Sequence, residues 1–219
     1  QRAMSTLATS HPHSGDEHDA DPREGADELL GPIYSWWCGD PWPEVDRAPP
    51  IQVVATQEFL LLAALAHLPV GEVQSRLEAG HRPYIATLED LPVAYGWSAS
   101  KRASIGAFGL DFRVPPGNRY LWDFATLPAW RGRGVYPSLL RAIVLRESAR
   151  AGRFWIGHDP DNRASARGIV KAGFIRAGLI YRLEDRSLLL RPLGDRERSE
   201  AAASLLGIHL LPTPGRQHE

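Results

Sequence analysis

The sequence predicts an α/β protein of the mixed α+β kind, a sheet with helices on both faces. Three observations carry that reading. Apolar residues make up 43% of the chain and charged residues 23%, the balance of an ordinary globular protein with a sizeable core. Regular apolar periodicity begins near Ile51 and runs to about Leu190. Within it the order is strand, two helices, a run of strands joined by tight turns, then helix, strand, helix and two strands, an order that buries its faces by packing helices on a sheet.

Residues 1–28 lack apolar periodicity and carry seven acids against Arg2 and Arg23, so a disordered acidic tail is expected. His11, His13 and His18 lie among those acids without fixed geometry, and no metal is expected there. Residues 29–50 place Trp36, Trp37 and Trp42 among prolines. They read as an irregular, anchored segment that covers apolar surface and suits a contact between two copies of the chain. Residues 51–197 form the main domain and 198–219 a C-terminal extension.

Inside the domain, 51–55 suits a strand, and Thr56 is placed to cap a helix that runs to about His67. A second helix fits Val70 to Ala79, closed by Gly80. Strands follow at 83–88, 93–97, about 105–114 and 119–127, with turns at Glu89-Asp90 and at Pro115-Pro116-Gly117-Asn118. Leu139, Leu140, Ile143 and Val144 put one apolar face on a helix over 138–150. A strand at 154–157, a helix at 164–172 closed by Gly173, and strands at 175–183 and 187–190 complete the order. A short helix is expected at 201–205.

The longest apolar run, Phe59 to Ala66, stops at His67 and Pro69. It falls short of the roughly 20 residues a membrane span needs, so no membrane partner is expected, and nothing points to nucleic acid. No secretory pattern opens the sequence, and Cys38 is the only cysteine, so no internal disulfide forms. A reducing cytoplasm is the expected compartment.

Charge is unevenly spread. Between 131 and 176 ten bases face only Glu147, Asp159 and Asp161, a field that suits an anionic ligand. At its start stands Arg131-Gly132-Arg133-Gly134-Val135-Tyr136, between a strand and a helix. Two glycines allow sharp turns and close approach, and the helix behind offers unpaired N–H groups to an anion. A P-loop would need a lysine that is absent, and a dinucleotide fingerprint would need glycine where Pro137 stands.

The loop resembles the pyrophosphate loop of the GNAT superfamily of acyl-CoA N-acyltransferases: Arg or Gln, two residues, Gly, one residue, then Gly or Ala. The chain fits through Val135 and departs at Tyr136. A second segment, Asn162 to Phe174, resembles the family's later element: an Asn, a small residue, a helix and a closing Gly-Phe, here Gly173-Phe174. One helix and one strand separate the two, and the element order extends the resemblance over about 51–192.

The resemblance implies a mostly antiparallel central sheet in which two parallel strands, at 120–127 and 154–158, splay apart. Acetyl-CoA would be the cosubstrate. Its pantetheine would lie in the gap, on backbone groups around Ala125 and Leu127. Its pyrophosphate would rest on N–H groups of Gly132, Arg133, Gly134, Val135 and Tyr136, with Arg131 and Arg133 adding charge-assisted bonds. Asn162 would bond the pantetheine arm, and Ser165 would reach the cosubstrate. The alternative for Asn162 is a turn or cap; Arg167 and Lys171 read as solvated.

The implied reaction is N-acetyl transfer, by direct attack of a small-molecule or protein amine on the thioester, with a base, oxyanion donors and an acid. Asp123 is the base candidate if Leu121, Asp123 and Ala125 share one face; the alternative is a carboxylate satisfied by an arginine. Relatives often place an acidic Tyr seven residues after the Asn, where this chain has Ile169, leaving Tyr136 and His158 as substitutes. Trp97, Trp122 and Trp155 suit either an aromatic acceptor pocket or the core. Two other readings stay open: a catalytically silent acyl-CoA-binding sensor, and a protein-interaction module built on the Trp-rich segment.

Overall fold

A computed structural model describes residues 27–44 and 49–212. The tail before residue 27, with its histidines, and the last seven residues lie outside the described residues. Among the described residues nine strands form one sheet in the order β11-β10-β9-β1-β8-β7-β4-β3-β2. They are β1 (Glu28–Trp37), β2 (Gln52–Ala55), β3 (Arg82–Leu88), β4 (Leu91–Ala99), β7 (Asn118–Thr126), β8 (Arg153–Gly157), β9 (Ile175–Arg182), β10 (Leu188–Pro192) and β11 (His209–Leu210). Of the pairings among these strands, only β7 with β8 and β10 with β11 are parallel. The stretch expected as one strand over 105–114 is a separate hairpin, β5 (Arg102–Ile105) and β6 (Leu110–Arg113), broken by a 3₁₀ turn at Gly106–Phe108.

The largest correction is β1. The expected irregular segment begins instead with a ten-residue strand in the middle of the sheet, antiparallel to both β8 and β9. Its register with β9 shifts at Gly31 and again between Ile33 and Tyr34, which accommodates Pro32 and its missing N–H. Gly31 has φ +147, and a Cβ there would run into the His158 carbonyl. Trp36 stacks on Trp42 at 4.6 Å, so the tryptophans do cover apolar surface, but from inside the fold.

Alternation along the central strands assigns each face. Tyr34, Leu121, Phe154 and Ile156 pack under α3 (Val135–Glu147) and α4 (Arg163–Lys171), with Leu139, Leu140, Ile143, Val144 and Ile169. Their neighbours Ile33, Tyr120 and Trp155 point the other way, toward α5 (Arg196–Leu206). On that same face Trp97, Tyr95 and Ile85 meet α1 (Phe59–Ala66) and α2 (Val70–Glu78). α1 starts later than expected: Thr56 accepts a hydrogen bond from the Glu58 N–H in the turn before it and does not cap the helix. α5 is longer than expected because Arg198 and Ser199, polar in sequence, are buried in it. Arg198 bonds Asp40 and Ser35, and Ser199 Oγ donates to the Ala177 carbonyl at 2.7 Å.

A buried ion pair joins the helix layer to the sheet. Glu147 accepts from Tyr84 Oη at 2.9 Å and pairs with Arg119. Burial first, then the neighbouring Glu147 charge, push the Tyr84 hydroxyl up to about 12.

Candidate functional site

β7 and β8 pair only from Asn118–Leu121 to Arg153–Ile156. Beyond Leu121, β7 stays with β4 as far as Thr126 and leaves β8, opening a gap between two parallel strands. The divergence begins at a bulge. Trp97 faces Trp122 and Tyr95 faces Ala125, so Gly96 alone stands opposite Asp123 and Phe124. Asp123 takes the left-handed φ of +50, and the extra residue breaks the alternation. Leu121 and Phe124 pack on the α3/α4 face, whereas Trp122 and Ala125 pack against the α1/α2 face. The expectation that Leu121, Asp123 and Ala125 share a face therefore fails. Gly96 makes the arrangement possible, because a Cβ there would overlap the Phe124 ring.

A cleft of about 570 Å³ lies between the free end of β7, the loop before α3 and one side of α4. Of the residues expected to bind a cosubstrate, Ala125, Arg131, Gly132, Gly134, Val135, Tyr136, Asn162 and Ser165 line it. Leu127 and Arg133 do not. The Leu127 N–H is committed to the Val93 carbonyl at 2.9 Å, and the Arg133 guanidinium lies over the Trp130 ring at 5.1 Å. Gly132 and Gly134 have φ +74 and +77, a backbone that glycine adopts without strain. Gly134 is the N-cap of α3 and has no side chain to occupy the helix end. The N–H groups of Val135 and Tyr136 accordingly lack intrahelical partners, while Pro137 in the same turn supplies none. Arg131 Nε donates to the Thr126 carbonyl at 3.0 Å, tying the loop to the end of β7.

Asn162 is the N-cap of α4, and its Oδ1 accepts from the Ser165 N–H at 2.9 Å. The cap alternative is thus realised, and the same residue stands on the cleft wall. Arg167 and Lys171, read from sequence as merely solvated, also line the cleft. Their signal was present: Ala164, Arg167, Gly168 and Lys171 recur at the spacing of one helix face.

Tyr136 occupies the floor. Its ring packs on Gly168, where an added Cβ would lie 2.8 Å from Cε1 and closer still to Cδ1. It tilts against Phe124 at 5.7 Å between centroids, and its hydroxyl is 3.2 Å from Ser165 Oγ. Burial pushes that phenol up to about 12, opposed by the Ser165 hydrogen bond. Ile169 is fully buried in the core and faces no solvent.

The two other catalytic candidates lie elsewhere. His158, at the end of β8, is not among the cleft residues. Its Nδ1 is 2.7 Å from the Asp159 carbonyl and donates to it, and its Nε2 lies 3.4 Å from Tyr34 Oη. Tyr34 Oη in turn accepts from Arg176. Asp123 points to the α2 face and pairs with Arg76, the arginine alternative considered for it. Arg76 also donates to Glu72 at 2.9 Å and lies 4.5 Å from the Trp122 centroid. Trp97 and Trp155 are fully buried core residues in different clusters.

Among the described residues no helix is long and apolar enough to cross a membrane. No protein-family model matches the chain, and no curated protein matches it either. Solved structures do. An acetyltransferase of the GNAT family from Colwellia psychrerythraea superposes with TM-score 0.50 at 12% identity, over 70% of this chain and 55% of its own. A GCN5-related N-acetyltransferase from Kribbella flavida gives 0.46 at 14%, over 70% and 57%. The chain thus spans little more than half the length of these two. An aminoglycoside acetyltransferase solved with coenzyme A and kanamycin gives 0.47 at 19%, over 69% of this chain and 98% of its own. At these identities the likeness is one of architecture, and it agrees with the splayed parallel pair: the chain has the GNAT acyl-CoA N-acyltransferase fold.

Proposed function

We propose that the cleft binds acetyl-CoA and that the chain transfers its acetyl group to a primary amine of a small molecule or protein, in the cytoplasm. The observation that carries this is the convergence on one cleft of three independent features: the strand gap beyond Leu121, the Arg131–Tyr136 loop, and α4 capped by Asn162. Anionic phosphates suit the free N–H groups at the start of α3, with Arg131, Arg167 and Lys171 around them. The pantetheine arm fits the gap beside Ala125.

In this reading Tyr136 is the acid that protonates the departing thiolate. Its raised phenol stays protonated at neutral pH, and Ser165 Oγ fixes its hydroxyl. It replaces from α3 the group that Ile169 cannot supply. Asp123, on the face where an amine would approach, takes the amine proton through water. His158 steadies the turn into α4 and does not meet the reacting atoms.

A silent acyl-CoA-binding module is the second reading, favoured by the engagement of Asp123 with Arg76. Thermal shift with acetyl-CoA, followed by thiol release against a panel of amines, separates the two. Stabilisation with thiol release supports the transferase, stabilisation without release on any amine supports the module, and no stabilisation removes both.

A further inference from the structure

Arg76 touches nothing in the cleft, yet the bulge that shapes the cleft ends on it. Three facts meet at this residue. Asp123 is held at φ +50, a backbone few non-glycine residues adopt. The carboxylate of the same residue is paired with Arg76. Arg76 is itself fixed from α2, by Glu72 at 2.9 Å and by the faces of Trp122 at 4.5 Å and Trp97 at 5.4 Å, and its side chain is only 13% exposed. A guanidinium held on three sides cannot follow Asp123 if the strand relaxes.

Relaxation has a definite geometry. A regular β7 alternates its side chains, which would turn Asp123 to the α3/α4 face and swing Phe124 to the α2 face. That exchange would put a carboxylate beside the site proposed for phosphate and pantetheine. It would also remove the Phe124 ring from its place over Gly96 and against Tyr136. The bulge therefore decides which of two side chains, one anionic and one aromatic, forms the cleft wall.

We infer that Arg76 is a positioning residue for the cosubstrate cleft: its ion pair on the α2 face holds the Asp123 bulge that presents Phe124 to the opposite face. The ligand named here rests on the acetyl-CoA reading; the structural coupling does not. The same pair ties α2 to the free end of β7, so an amine drawn to Asp123 on the α2 face would compete with Arg76 and loosen the bulge.

The test uses the full chain and two readouts: coenzyme A affinity by calorimetry, and the nuclear Overhauser contact between the Phe124 and Tyr136 rings in the free protein. Arg76→Met should lose the ring contact and bind coenzyme A about tenfold or more weakly. Adding Asp123→Gly, which tolerates positive φ without an ion pair, should restore the ring contact and bring affinity back to within about threefold of the native chain. An intact ring contact in Arg76→Met, or no recovery in the double variant, overturns the inference. If Arg76→Met does not fold, Asp123→Ala and Asp123→Gly in the native background decide: the alanine variant should lose the ring contact and the glycine variant keep it, and equal behaviour refutes the coupling. Failure of the native chain to bind coenzyme A removes the ligand reading and leaves the ring-contact arm to decide on its own.

Discussion

Gly168→Ala tests whether the Tyr136 pocket is built as described. A glycine-to-alanine change inside a helix ordinarily stabilises by about 1 kcal/mol. Gly168 lies within α4, but the new Cβ would overlap the Tyr136 ring, and crowding a packed interior costs about 1–3 kcal/mol. Phe124 backs that ring and Ser165 holds its hydroxyl, which argues for about 2–3 kcal/mol of that range. The net expectation is a loss of about 1–2 kcal/mol, a fall in Tm of roughly 3–6 °C. In a Tyr136→Ala background the obstacle is gone and the sign reverses, so that Gly168→Ala raises stability by about 1 kcal/mol. Thermal unfolding of the four proteins closes the cycle, with an expected coupling of about 2–3 kcal/mol. An equal rise in Tm in both backgrounds would refute the packing of Tyr136 on α4 and its assignment as the acid.

Tyr136→Phe should keep coenzyme A binding and lower turnover by about 10²-fold or more. With the phenol pushed up to about 12, native turnover should also show no loss of this acid up to pH 10; a decline centred near the ordinary tyrosine value would count against the assignment. From pH 10 upward the unfolded tyrosine ionises before the folded one, so the raised phenol costs stability as pH rises, and Tyr136→Phe should flatten that slope in a Tm–pH series. Glu147→Gln leaves the half-buried Arg119 without its carboxylate partner, at a position where Glu147 itself is buried, and should cost about 3 kcal/mol by denaturant titration; a change under about 0.5 kcal/mol would mean the pair contributes nothing. Asn162→Ala should cost about 1 kcal/mol through the lost α4 cap and weaken coenzyme A binding in calorimetry; lost stability with unchanged affinity would confine Asn162 to capping.

Much of the fold was legible because its later elements are amphipathic in the ordinary way. α3 shows its apolar face at Leu139, Leu140, Ile143 and Val144, and α4 ends at a glycine with φ +91. The turn before α3 was legible from Gly132 and Gly134, whose φ of +74 and +77 requires glycine. Two features hid. β1 is buried on both faces, so it lacks the polar alternation that marks a strand, and the tryptophans among prolines read as an irregular segment. The bulge hid because its left-handed residue is Asp123 and not a glycine, so alternation was carried one residue too far and the carboxylate was placed on the wrong face. α5 was shortened for a related reason: Arg198 looks exposed in sequence, and only Asp40 and Ser35, more than 150 positions away, explain its burial.

We propose that the Arg131–Tyr136 loop and the strand gap form one acyl-CoA site. Calorimetric titration of the native chain and of Gly134→Asp with acetyl-CoA tests it most directly. Gly134 has φ +77 at the start of α3, so the variant both strains the turn and sets a negative charge where phosphate would rest. One-to-one binding to the native chain, lost in a Gly134→Asp protein that is still folded, is the predicted result. No binding to the native chain, or equal binding to both proteins, would contradict it.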